Sequence, residues 1–156
     1  MTTITDPKVV ILTIFQNYWA ETAIPNLPAN VKFVSAIYDQ AASMQNQVVV
    51  GDLTATEDEW ISGKDKLFKG IVDIHTYTRI IEPNTSNMDM GTLKKQRQAM
   101  NENIRTIQIK HPDRPVADIM HIFPRTRAVD RDLRTERGVV LHSVQQSEVW
   151  YVEAYP

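Results

Sequence analysis

Apolar residues near the start of the chain recur at helical spacing. Ile11, Leu12, Phe15, Tyr18 and Trp19 fall on one face of a helix, and Thr13, Gln16, Asn17 and Ala20 fall on the other. Val9 to Phe15 is also rich in β-branched residues and fits a buried strand, so the period alone leaves both readings open. Asp6-Pro7 decides for helix: an Asp side chain accepts from the free N–H groups of a first turn, and a Pro there has no donor to lose. The helix is predicted to run to about Thr22. Pro25 and Pro28 then break the chain before Val31 to Ile37, a predicted first strand, and Gln47 to Asp52 reads as a second.

From Leu67 to Ile80, Phe68, Val72 and Ile74 alternate with Ile71, Asp73, His75, Tyr77 and Arg79, the period of a third strand. The connection Asp52 to Lys66 carries Glu57, Asp58, Glu59 and Trp60. At about fifteen residues it is at the upper limit for a structureless loop, a length that points to a functional or mobile segment. Glu82 to Asn87 is turn-rich, and Asp89 fits the cap of a second helix ending at Lys110 before His111-Pro112. Its apolar stripe is Met90, Leu93, Met100, Ile104 and Ile107, interrupted by Arg97, with Lys95, Gln98, Glu102 and Arg105 opposite.

Residues 113–137 are read as irregular, because Val116 to Phe123 fits either a short helix or a strand and the following stretch is dominated by charge. Val139 to Val144 and Glu148 to Tyr155 are read as two strands of a closing hairpin, although Gln145-Gln146-Ser147 lacks the Gly or Asn of the tightest turns. The expected fold is α+β, a mostly antiparallel sheet of about five strands packed on two helices in the order α-β-β-β-α-β-β.

Composition narrows the class. A chain of 156 residues with 42% hydrophobic and 23% charged residues is expected to fold as one soluble domain over positions 1–156. A net charge of −2 gives no bulk attraction to nucleic acid or to an anionic membrane, so a charged partner must be met by a local patch. Cysteine is absent, which excludes disulfides, thiol nucleophiles and thiolate metal sites. The first residues show no basic leader, and no apolar run approaches the roughly 20 residues that span a bilayer, so neither secretion nor membrane insertion is expected.

Catalytic signatures are scarce. No Gly-x-Ser-x-Gly elbow occurs, and Gly51, Gly63, Gly70, Gly91 and Gly138 stand too far apart for a phosphate-cradling loop. Asp73 and His75 share a face of the third strand, and His142 could join them from the fourth. Two imidazoles and a carboxylate are a conceivable metal set, and a small metal-dependent hydrolase is the enzymatic alternative. Isolated strand histidines are more often surface residues, so no enzyme activity, cofactor or metal is expected. Arg125, Arg127, Arg131, Arg134 and Arg137 are offset by Asp130, Asp132 and Glu136 and have no interleaved aromatic ring, a pattern of ion pairing rather than base recognition.

The last strand is apolar on both sides: Trp150, Val152 and Ala154 face one way, and Val149, Tyr151 and Tyr155 the other. A sheet covered on one side only should be polar on its second face, so a loop or another subunit is expected to cover this one.

The element order, with Val48-Val49-Val50-Gly51-Asp52, the acidic connection, Gly70-Ile71-Val72-Asp73-Ile74 and the closing Val149-Trp150-Tyr151-Val152-Glu153, resembles the tail terminator or tail completion proteins of tailed bacteriophages. The likeness covers nearly the whole chain but consists of short apolar signatures. It implies a non-enzymatic virion protein, assembled in the host cytoplasm. Such a protein forms a ring, typically a hexamer, that caps the head-proximal end of the tail tube and joins it to the neck. The implied partners are further copies of the chain, the tube protein and a neck or connector protein, with DNA passing through the lumen without sequence-specific contact and no membrane. Asp52 to Lys66 would project from the ring, and residues 113–137, long and Arg-rich, depart from the pattern. Another head–tail adaptor and a monomeric binding module are the remaining alternatives.

A head-to-tail ring needs two different complementary patches on each protomer. Glu57, Asp58, Glu59 and Trp60 are the candidates on one side. Arg125, Arg127, Arg131 and Arg134 are the candidates on the other, with Trp150 and Tyr151 excluding water.

Overall fold

The structure, a computed structural model, describes residues 7–35, 46–60, 63–79, 90–111, 119–135 and 138–154. In chain order the elements are α1 (Pro7–Tyr18), β1 (Val31–Ser35), β2 (Asn46–Trp60), β3 (Asp65–Arg79), α2 (Met90–Lys110), β4 (Ile119–Pro124), β5 (Val129–Asp130), β6 (Leu133–Thr135) and β7 (Gly138–Ala154). The class is the expected α+β, with two helices on a mostly antiparallel sheet, but the sheet has seven strands rather than about five. The strands run β1-β2-β3-β7-β4, with β5 and β6 also paired to β7.

Three differences from the sequence reading have physical causes. The acidic connection is not a loop. β2 continues through it to Trp60, antiparallel to β3, so that Asp58 lies opposite Phe68 and Trp60 opposite Lys66. Register shifts between Val50 and Leu53 and between Ala55 and Glu57 mark β-bulges, which interrupt the alternation a pattern search relies on. The supposed closing hairpin is one continuous strand. Gln145 and Ser147 stay extended because their buried side chains bond to α2: Gln145 donates to the Asn101 carbonyl (3.3 Å) and Ser147 to Gln108 Oε1 (2.8 Å). Finally, the described part of the irregular region supplies β4, β5 and β6, laid end to end along the edge of β7 that faces away from β3.

Both helices cover one face of the sheet. Ile11, Ile14 and Phe15 of α1 and Met100, Ile104 and Ile107 of α2 join Val48, Val50, Val72, Ile74, Ile122 and Val149 in one core. Each such side chain, taken from water, contributes about 1.5–3 kcal/mol. The predicted apolar face of α1 is buried, broadened by Val10 and Ile14, but the helix stops at Tyr18 rather than near Thr22. Beyond it the Trp19 carbonyl accepts from Asn103 Nδ2 (3.0 Å), and the Trp19 indole donates to the Pro28 carbonyl (3.0 Å), so both ends of Trp19 are held outside a helix. The chain then turns through Asn26 at φ 67°, a left-handed conformation that Asn tolerates well. The Asp6 and Asp89 caps and the end of the predicted first strand lie outside the described residues.

β1 pairs in parallel with the start of β2, from Val31 opposite Asn46 to Ser35 opposite Val50. Past Val50, among the described residues, no strand flanks the outer side of β2. The stretch from Asp52 to Trp60 is therefore one edge of the sheet, and β4, β5 and β6 make the other.

Candidate functional site

The acidic edge is built by hairpin geometry. Asp58 and Trp60 occur two residues apart, so both point to the same side of β2. Lys66 of β3 answers them, with its Nζ 2.6 Å from Asp58 Oδ2 and 5.3 Å from the Trp60 ring. Trp60 is nevertheless 60% exposed, the most exposed of the large apolar side chains described. Glu59 is exposed, and Glu57 lies opposite Lys69 in the register. Acidic side chains along a sheet edge oppose indiscriminate strand pairing there.

At the opposite edge, Arg97 emerges as a structural centre that sequence reading marked only as a break in an apolar stripe. Its side chain is nearly buried and forks onto Asp132 and onto Asp130, the latter at 3.0 Å. Asp130 also accepts from Ser143 Oγ (2.9 Å), and Asp132 from the backbone N–H of His142 (3.1 Å). The two acids of the alternating-charge segment are thus used inside the chain, clamping β5 and the following residues between α2 and β7. Arg125, Arg127 and Arg131 are left exposed, while Arg134 lies opposite Val139 in β6. Between α2 and this segment opens a cleft of about 440 Å³, lined by Lys94, Arg97, Gln98, Arg105, Arg127 and Asp130 among others.

The face without helices has an organised centre of its own. Gln47 and Val49 point to it and are buried at 0% and 1% exposure. His75 Nδ1 lies 2.8 Å from His142 Nε2, and the Tyr77 ring stacks on His142 at 4.3 Å with planes 2° apart. One imidazole must donate and the other accept, so the contact requires at least one neutral ring. Burial, the largest cause, lowers the pKa of both; Asp73 and Asp52 oppose it at His75, and the neighbouring His75 lowers His142 further.

The sequence placed Asp73, His75 and His142 on one face, and they are there. Two nitrogens on one tetrahedral zinc at ~2.0–2.1 Å would stand about 3.4 Å apart, farther than these two rings, which bond to each other instead. The Asp73 carboxylate accepts from Gln146 Nε2 at 3.0 Å, and among the described residues no group of three His, Asp or Glu side chains could hold a metal.

Farther along that face Trp150 is half-buried among His121, Phe123 and Lys69, whose ammonium sits 4.8 Å from its ring centroid. Tyr151 points the other way, stacked on Phe68 beneath the helices at 8% exposure. The alternation read from the sequence holds for these two residues, with Trp150 on the second face and Tyr151 in the core.

No family model matches the chain, and no curated protein matches it. Among solved structures, the chain is similar to one in a structure described as the virion of a native gene transfer agent particle. Sequence identity is 10% and the TM-score 0.47, and the match covers 90% of this chain and 92% of that one. No helix among the described residues is long and apolar enough to cross a membrane.

Proposed function

We propose that this chain is a structural protein of a phage-like virion, without enzymatic activity. In this reading it assembles head to tail into a ring that ends the tail tube on the capsid side and joins it to the neck. The observation that carries the reading is the placement of the two charged patches. The acidic stretch Asp52 to Trp60 and the segment bearing Arg125, Arg127 and Arg131 stand on opposite edges of one sheet. A protomer so arranged cannot pair its two patches with each other, but it can offer each to a different neighbour, which is the requirement for a closed ring of heterologous contacts. The resemblance of the sequence to phage tail terminator proteins supplies the virion role. Another position in the head–tail connector would use the same surfaces.

Mass photometry and negative-stain imaging of the purified protein test the assembly. Closed rings of uniform copy number are expected, six being the number the resemblance implies. A single monomeric mass at every accessible concentration would overturn the ring.

A further inference from the structure

We infer that the cleft between α2 and β5 is the seat for the β2–β3 hairpin of a second copy of this chain. The inference rests on the ring reading and adds to it the side chains of α2, which the distribution of arginines in the sequence did not indicate. Lys94 and Arg105 line the cleft from the helix and Arg127 from the segment before β5, with Glu102 and Asp130 as its carboxylates. Arg97 is already neutralised by Asp130 and Asp132. Lys94, Arg105 and Arg127 make no ion pair among the described residues, so the cleft keeps a cationic excess.

The hairpin has the complementary chemistry. Its edge strand carries Asp52, Glu57, Asp58 and Glu59 without a basic residue between Asp52 and Trp60, and of the lysines on or before β3, Lys66 pairs with Asp58. Charge complementarity at this level sets orientation and encounter rate. Trp60 supplies an anchor, since an indole between guanidinium groups and aliphatic stems gains both cation–π attraction and buried area. The occupant must come from another copy, because the hairpin edge and the cleft flank opposite sides of the same sheet.

The absence of cysteine makes a disulfide test clean. Gly63→Cys places a thiol beside the hairpin end, where an added Cβ meets nothing within 4 Å, and Gln98→Cys places one in the cleft; neither removes a charge. Under mild oxidation, a mixture of the two variants is expected to form a mixed dimer at least tenfold faster than Gly63→Cys mixed with Gln16→Cys on the exposed side of α1. Adding Lys94→Glu, Arg105→Glu and Arg127→Glu to the cleft copy should remove that preference. Adding Glu57→Lys, Asp58→Lys and Glu59→Lys to the hairpin copy should restore it.

Rings of wild-type mass whose cross-linking ignores these charges would overturn the seat and leave the ring standing. Specific cross-linking in a protein that never exceeds a dimer would support the seat and remove the ring. If cleft reversal abolishes retention of duplex DNA on a gel while cross-linking is unchanged, the cleft holds phosphate and the inference is wrong.

Discussion

Arg97 donates to Asp130 across 3.0 Å from a side chain only 6% exposed, while Asp130 itself is 61% exposed. The pair is therefore asymmetric: the cation has been taken from water, and its partner remains largely solvated. Such a pair depends on the fork geometry of the guanidinium more than on bare Coulomb attraction, and with Asp132 it fixes β5 over the N-terminal half of α2.

Replacing Arg97 by Ala leaves Ser143 and the His142 backbone as the described hydrogen-bond partners of the two acids, and is expected to cost about 2 kcal/mol, below the usual figure for a buried pair because the acids are solvated. Arg97→Lys should recover less than half of that, since one ammonium cannot reproduce the fork. Urea denaturation followed by far-UV circular dichroism measures both. An unchanged midpoint for Arg97→Ala would mean that β5 is held by β7 alone.

Arg97 also illustrates what could be read from sequence. The helix α2 was legible because four of five predicted stripe positions, Leu93, Met100, Ile104 and Ile107, are buried as their spacing requires, with Met90 at the exposed end. The partners of Arg97 were not, because Asp130 and Asp132 belong to a stretch with no period, shaped by pairing to β7 and not by its own sequence. The same limit explains β7. Gln145, Gln146 and Ser147 look like a turn locally, and only contacts with Asn101, Asp73 and Gln108 make them strand. Glu57, Asp58 and Glu59 were read as part of a connection because their bulged edge strand has the composition of a loop.

The imidazole pair predicts a dependence on pH. Both histidines have a folded pKa below the ordinary 6.5, so below that value the unfolded chain binds more protons than the folded one. The stabilisation is fully present above 6.5 and is lost as pH falls through the lowered folded values. Groups that bear on the pair are Asp73, Asp52, Arg131 and Asp132, with Tyr77 stacked against it. The melting temperature should fall between about pH 7 and about pH 5, and His142→Asn should flatten that slope. A variant with the wild-type slope would place the titrating groups elsewhere.

Gly51 makes room for this pair. An added Cβ would come within 3.0 Å of His75 Nε2 and 3.1 Å of Cδ2, with the Asp73 carbonyl at 3.4 Å. Gly51→Ala is expected to cost about 1–2 kcal/mol as the ring is displaced. The imidazole resonances of both His75 and His142 should shift in NMR spectra; a shift confined to His75 would show that the two rings are not coupled.

Ser147→Ala removes the partner of a buried amide. Gln108 is fully buried, and its Oε1 accepts from Ser147 Oγ at 2.8 Å. A loss of about 2 kcal/mol is expected in chemical denaturation, with the second substitution Gln108→Leu recovering part of it by removing the stranded polar group.

Trp60→Ala should leave the melting temperature almost unchanged, within about 0.5 kcal/mol of wild-type stability, because the ring is largely exposed. Self-association measured by sedimentation velocity should nonetheless weaken at least tenfold. A large loss of folding stability with intact association would make Trp60 part of the hairpin's own support.

β7 pairs with β3 from Asp65 opposite Ala154 to Arg79 opposite Val140 and carries β4, β5 and β6 on its other side. The strand that pairs with four others therefore follows all of them along the sequence. Until it arrives, β3 has one unpaired side and the segments destined for β4 to β6 have no template. Such long-range pairing makes folding slow, with the β2–β3 hairpin waiting as an open edge.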